Sequence, residues 1–148
     1  MATTESIREA MTTAWKGGDT VRRDTLRLMI ASMENMRIEL GRALEEPDVT
    51  RVLQKEAKQR RDSIEEYGKA KRQDLVDKEQ AELDVIVQYL PDQMSDEELR
   101  LIVKSVIDEA GATSVNDLGK VMRPLMARLA GRADGSAANA IAREILQG

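Results

Sequence analysis

Apolar residues recur along this chain at steps of three and four, which is the spacing of helices that bury one face. The longest such stripe contains Leu26, Met29, Met33, Leu40 and Leu44. No segment shows the alternating β-branched pattern of a half-buried strand, so an all-α fold is predicted. The pattern predicts seven helices, which cover roughly residues 3–16, 20–44, 48–67, 74–90, 96–110, 115–129 and 136–147.

Capping residues mark several of the predicted helix ends. Asp19 follows two glycines and is predicted to be the N-cap of the second helix. Ser95 and Glu98 have the spacing of a capping box, and Gly111 is predicted to end the helix that they begin. Gly68 is predicted to stand just beyond the third helix, in the same way.

Two prolines bear on how the chain is divided. Pro91 breaks the helical pattern, so a boundary is predicted there between an N-terminal unit (residues 1–91, about four helices) and a small three-helix tail (residues 92–148). Pro124 lies inside the sixth predicted helix, where it is expected to kink or restart that helix.

Two charged residues interrupt apolar stripes. Arg60 lies on the buried face of the third helix and Glu79 on that of the fourth. If these helices pack antiparallel, the two charges lie at comparable depth, and an Arg60–Glu79 ion pair that sets the helix register is the hypothesis. The alternative is that both side chains extend to solvent.

Composition excludes most catalytic chemistry. The chain has no Cys and no His, so it lacks a thiol nucleophile, the commonest general base and the commonest transition-metal ligands. No phosphate-binding glycine loop, nucleophile elbow or calcium-binding loop occurs. No catalytic residue, no metal and no cofactor are therefore expected.

The remaining global features bear on location and partners. No stretch approaches the length and apolarity of a membrane span, and the N-terminus shows no secretory signal, so a cytoplasmic protein without membrane contact is expected. The formal net charge is −4, so any binding of a polyanion must rely on a local patch.

Such a patch lies in the tail. Residues 118–135 carry four Lys or Arg against one acid. Lys120 and Arg128 are eight residues apart and return to nearly the same helix face, with Arg123 offset from them. Arg132 lies in a glycine-bounded segment that is predicted to be a flexible hinge, and Asn139 follows near the free N–H groups of the last helix. The alternative interpretation is an ordinary glycine-rich turn with surface arginines.

A second group of cations lies on the third helix and in the connection that follows it, at Lys55, Lys58, Arg61 and Arg72. Acidic residues are interleaved with it, and i,i+4 pairs such as Lys58–Asp62 are predicted to neutralise much of its charge. This group is interpreted as a solvated surface.

Several motifs, in order, resemble those of the YqeY-like proteins. They are residues 59–67 (QRRDSIEEY), residues 72–79 (RQDLVDKE), Tyr89-Leu90-Pro91, residues 119–122 (GKVM) and residues 131–135 (GRADG). The C-terminal part of that family is similar to the tail domain of the GatB subunit of tRNA amidotransferases and to tails of some glutaminyl-tRNA synthetases. The resemblance implies a tRNA-binding tail with Gly119, Lys120, Arg132 and Asn139 on its surface. Pro124 and Ala127 depart from the family pattern, in which a small residue and Pro are expected.

These inferences together predict a non-catalytic helical module that binds RNA, with tRNA as the expected partner in aminoacylation or amidation. The candidate site comprises Gly119, Lys120, Arg123, Arg128, Gly131, Arg132 and Asn139. The alternative is a helical adaptor that docks on a tRNA synthetase or amidotransferase through its N-terminal unit. An amide-handling enzyme, a carbon–nitrogen ligase that uses glutamine as nitrogen donor, is suggested by family labels alone.

Overall fold

Helices account for nearly all regular structure in the computed structural model, which describes residues 2–148. Within that range there are seven α helices and no strand, so the all-α prediction is confirmed. No helix in the described range is long and apolar enough to cross a lipid bilayer. The helices are α1 Thr4–Lys16, α2 Thr20–Leu40, α3 Glu46–Lys69, α4 Gln73–Val87, α5 Asp96–Ala110, α6 Leu118–Leu129 and α7 Gly135–Gln147, with a 3-10 turn at Val115–Asp117.

The chain forms two units, one ending at Pro91 and the other beginning at Asp92. In the first, α1 packs on α2, α3 packs on α4, and α2 contacts both members of the second pair. Its core is built from aliphatic and methionine side chains rather than aromatic rings. The fully buried large residues of this core are Ile7, Leu26, Met29, Met33, Val49, Leu53 and Ile86.

The second helix is shorter than its apolar pattern predicts. Gly41 adopts a left-handed conformation (φ 69°) and its N–H bonds the carbonyl of Arg37, which ends α2 at Leu40. The prediction that the helix continues to Leu44 is therefore wrong, because a C-terminal glycine cap ends the helix. Leu44 still packs against the core, but from the connection to α3. The predicted end of α3 at Gly68 is also displaced, since the positive φ falls on Lys71.

One buried carboxylate organises the connection between α2 and α3. The Asp48 side chain is buried, accepts the Glu45 N–H at 2.9 Å and accepts Nη1 of Arg42 at 2.7 Å. These bonds favour the ionised form, and the Arg42 guanidinium contributes most to lowering the pKa of Asp48 to about 2. The turn is thus fixed at neutral pH by an ionised side chain.

Arg60 does lie between helices, but its partners differ from the predicted one. It pairs with Glu56 on its own helix and with Oε2 of Glu82 on α4, 3.3 Å from Nε. Ser32 of α2 donates to the other oxygen of Glu56 at 2.7 Å, so the network joins three helices. The Arg60–Glu79 hypothesis is therefore wrong, because Glu82 lies one turn beyond Glu79 and the helix register favours it. The neighbouring Lys58–Asp62 pair is confirmed at 2.8 Å.

The tail has its own core, to which α5, α6 and α7 contribute buried faces. Ser95 accepts the Glu98 N–H as predicted, and Gly111 ends α5 in a left-handed conformation. Pro124 lies inside α6, and the helix continues through it to Leu129 without a restart. The core residues that are fully buried are Val103, Val106, Val121, Leu125, Leu129, Ala138 and Ala142.

Candidate nucleic-acid interface

The amphipathic pattern of α6 determines which of its cations face outward. Val121, Leu125 and Leu129 recur every four residues and are fully buried, so they hold the helix against α5 and α7. Lys120 and Arg123 fall between these positions and are exposed. They are three residues apart, so their side chains are neighbours on the outer surface.

The two cations differ in their surroundings. Lys120 has a 74% exposed side chain, and its Nζ lies 3.7 Å from Oδ1 of Asp117. That carboxylate is already engaged, since it accepts the N–H of Thr113 at 2.9 Å and that of Ser114 at 3.4 Å. Both backbone bonds lower the pKa of Asp117, and the bond from Thr113 contributes most. Arg123 makes no hydrogen bond or ion pair with any residue in the described range.

Gly119 precedes them in the first turn of α6. A Cβ built on this glycine would meet no atom within 4 Å, and its φ is not in the left-handed region. Neither packing nor backbone conformation therefore accounts for a glycine here. Its effect is to leave the helix backbone accessible beside Lys120.

Arg128 is held by an acidic partner on α5. Its Nη2 lies 2.5 Å from Oε2 of Glu109, and its Nη1 lies 3.3 Å from Oγ of Ser105. The bond to Arg128 lowers the pKa of Glu109, so the pair is ionised at neutral pH. Arg128 is therefore neutralised at rest, which the sequence did not indicate because nineteen residues separate it from Glu109.

The glycine-bounded segment that is predicted to be a flexible hinge makes several hydrogen bonds. Nε of Arg132 donates to the Asp92 carbonyl at 2.9 Å, and the Arg132 carbonyl accepts the Met94 N–H at 2.8 Å. The Gly131 carbonyl accepts Nε2 of Gln93 at 3.1 Å, and Gly131 itself needs its left-handed conformation (φ 82°) to make the turn. The guanidinium of Arg132 also lies 4.0 Å from Glu98. Hydrogen bonds to residues 92–94 therefore connect this segment to the start of the tail, while its flexibility stays a prediction.

Around α7 the structure places one expected residue and one that the sequence reasoning missed. The oxygen of Asn139 accepts Nε of Arg143 at 2.9 Å, which pairs the two across one helical turn. Arg143 was detectable from its i,i+4 spacing to Asn139. The free N–H groups expected at the helix start are partly occupied, since the Asp134 carboxylate accepts the Ser136 N–H at 3.2 Å. Gly135 has a packing role, because a Cβ there would lie 3.0 Å from Cε of Met126.

Charge is distributed unevenly along the tail. Residues 92–117 contain two Lys or Arg and seven acids, whereas residues 118–148 contain five and two. Acids of the first segment partner Lys120, Arg128 and Arg132. Arg123 on α6 and Arg143 on α7 have no ion pair in the described range, and Lys120 beside Arg123 is the most exposed of the paired cations of α6 and the segment after it.

A comparison with protein families matches residues 4–146 to the model of the Yqey-like proteins. The chain belongs to the YqeY-like family. The match includes both units of this YqeY-like protein, so the resemblance seen in its motifs is confirmed.

Among curated proteins, the chain is similar to fungal proteins named Altered inheritance of mitochondria protein 41, mitochondrial. The one from Pyrenophora tritici-repentis is 41% identical over 86 residues, or 55% of this chain and 46% of that protein. Those from Lachancea thermotolerans and Saccharomyces cerevisiae are 33% identical over 86 residues and 37% identical over 73 residues, respectively. The Lachancea match includes 57% of this chain and 46% of that protein. The Saccharomyces match includes 49% of this chain and 40% of that protein. The YqeY-like chain thus spans about half the length of the curated relatives it matches.

The names of these relatives bear on location. They describe mitochondrial proteins, which contradicts the cytoplasmic location expected from the sequence. That expectation relied on finding neither a membrane span nor a secretory signal, and these two features do not distinguish the cytoplasm from the interior of a mitochondrion.

Proposed function

We propose that the tail of this YqeY-like protein binds structured RNA, with tRNA as the first candidate, through phosphate contacts on the outer surface of α6. The observation that carries the proposal is the juxtaposition of Gly119, Lys120 and Arg123. Lys120 is largely solvated, Arg123 has no partner in the described range, and both project from a rigid helix. Arg123 can contact a phosphate without leaving an internal partner, and Lys120 has only the 3.7 Å pair with Asp117 to exchange.

Gly119 supports the same surface. Glycine inside a helix is less favourable than alanine by roughly 0.5–1 kcal/mol, and here no packing contact or positive φ compensates for it. A missing side chain beside two cations allows a sugar–phosphate backbone to approach the helix closely. Gly119 therefore fits a ligand contact better than a structural role.

The other candidate residues have secondary parts in this proposal. Arg128 must exchange Glu109 for a phosphate before it contributes, and Arg132 is directed to the Asp92 carbonyl. Asn139 and Arg143 retain donor groups beyond the bond that they share. Because the tail as a whole carries more acids than bases, affinity depends on this local surface and is expected to be modest.

The test measures tRNA affinity by fluorescence anisotropy over a series of salt concentrations. The logarithm of the association constant should fall with the logarithm of salt concentration with a slope of roughly −0.7 to −0.9 per phosphate neutralised. The double variant Lys120→Glu/Arg123→Glu should weaken binding about tenfold or more and make the slope shallower by about one to two. Unchanged affinity in this variant would overturn the proposal.

A matched control separates site from net charge. Arg8→Glu/Lys16→Glu makes the same change in charge at exposed positions of α1, in the other unit. It should leave tRNA affinity within about twofold of the parent, because screening limits long-range effects at physiological salt. An equal loss in both variants would mean that only overall charge matters. The adaptor hypothesis predicts instead that a protein partner stays bound after ribonuclease treatment. It also predicts that the chain has no affinity for tRNA.

A further inference from the structure

An apolar stripe lies on the outer face of α2, opposite the side that packs in the core. Val21, Leu28 and Ile38 are 49%, 47% and 65% exposed, and Ala31 is exposed between them. The inward face of the same helix contains Leu26, Met29 and Met33, all essentially buried. The stripe is therefore additional to the helix's core face and has no partner within the described part of the chain.

The stripe has the period of a helix–helix contact. Val21, Leu28 and Asn35 are seven residues apart and fill one heptad position, while Asp24, Ala31 and Ile38 fill the position three residues later. Four of these six positions are apolar, so a second helix can pack along this seam.

The same pattern complements itself when a second copy runs antiparallel. In one such register Val21 faces Ile38 of the second copy and Leu28 faces Ala31. The residue numbers of every facing pair then sum to 59. The polar pair falls together as well, because Asp24 then faces Asn35, whose amide can donate to a carboxylate. A two-fold axis produces each of these contacts twice.

The flanking charges favour the same arrangement. In this register Arg27 lies beside Glu34 of the second copy on both sides of the two-fold axis, near the middle of the seam, where Glu34 also pairs with Arg37 of its own helix. A parallel pair would place Asp24 against Asp24 in a desolvated layer, which like charges oppose. From the repeat, the exposure and the charges, we infer that two copies of this protein associate through α2 in an antiparallel pair.

The contact is short. From Val21 to Ile38 the helix rises roughly 26 Å, so the interface lies at the small end of specific protein contacts. The dimer is expected to be reversible, with a dissociation constant in the micromolar range. The inference does not depend on RNA binding, because the seam lies in the N-terminal unit and the RNA proposal concerns the tail.

The first test is sedimentation of the full chain over a wide concentration range. The weight-average mass should rise from 16.5 kDa towards twice that value. Leu28→Glu/Ile38→Glu should weaken dimerisation about tenfold or more, because four buried aliphatic side chains are lost per dimer. Leu101→Glu, at a 70% exposed leucine of α5, is the control and should leave the dissociation constant unchanged. A chain that stays monomeric at every concentration overturns the inference.

The second test determines orientation and uses the absence of native cysteine. Val21→Cys and Ile38→Cys chains, mixed and oxidised mildly, should form a disulfide between the two variants, while each variant alone stays largely unlinked. Linking of each variant with itself would show a parallel pair and overturn the proposed register. Circular dichroism of every variant shows that helicity is retained, so a loss of association is not a loss of folding.

Discussion

The Arg60 network allows a specific test of what holds the N-terminal unit together. The side chains of Arg60, Glu56 and Glu82 are only 11%, 13% and 16% exposed. Replacing Arg60 by Met leaves two carboxylates close together in a largely desolvated space. Removing one partner from a buried pair typically costs 3–5 kcal/mol, and the residual exposure together with the Ser32 bond to Glu56 reduces this to about 2–3 kcal/mol.

This loss is measurable by urea or thermal unfolding. For a unit of this size, a loss of 2–3 kcal/mol corresponds to a fall of roughly 10–20 °C in the midpoint. Trp15 is 66% exposed and changes its surroundings little on unfolding, so the transition is followed by circular dichroism. Arg61→Met, next along the same helix and without an ion pair in the described range, is the matched control and should change stability by less than about 0.5 kcal/mol.

Double-mutant cycles identify the partner. Arg60→Met combined with Glu82→Gln should show a coupling free energy of about 1–2 kcal/mol, because the two side chains share one interaction. The cycle with Glu79→Gln should be additive within about 0.5 kcal/mol. Stronger coupling to Glu79 than to Glu82, or an Arg60→Met loss no larger than that of the control, would refute the network as described.

Four further substitutions have expected outcomes. Glu109→Gln removes the acid that neutralises Arg128, so tRNA affinity in the anisotropy assay should rise severalfold; an unchanged value would exclude Arg128 from the interface. Since the pKa of Asp48 is lowered to about 2, its stabilising effect is complete above the unfolded value of about 4 and is lost as the pH falls towards 2. The stability difference between the parent and Asp48→Asn, from urea midpoints at each pH, should therefore shrink over that range, and a difference that grows would contradict the assignment. Leu53→Ala should destabilise the N-terminal unit by about 2–5 kcal/mol without moving the tail transition, and Leu125→Ala should do the reverse; in calorimetry, movement of both transitions by either change would contradict separate cores.

Local signals in the sequence predicted the features that depend on a few neighbouring residues. Asp19, Ser95 and Gly111 act as caps because each bonds backbone groups within three or four positions of itself. Where the apolar pattern and a cap disagreed, as at Gly41, the cap decided the end of the helix. The length of α2 was therefore overestimated from the pattern alone.

Contacts between distant residues were predicted less well. The sequence indicates that Arg60 needs an acid on α4, but Glu79 and Glu82 lie on one face and only the packed register selects between them. The partner of Arg128 on α5 and the bond from Arg132 to the Asp92 carbonyl depend on how α6 is placed in the tail. For the candidate site, the sequence therefore showed which residue types are present. It did not show which of the cations already pair with acids of the same chain.

The two units bury separate sets of side chains, and no residue from 2 to 148 belongs to both cores. Selection can therefore act on each unit almost independently. A substitution that weakens the tail leaves the N-terminal helices folded, and a new surface on the tail can evolve without repacking Leu53 or Ile86. A gene segment that encodes such a tail is therefore expected to fold when it is joined to an unrelated protein, because every residue of the tail core lies in residues 92–148.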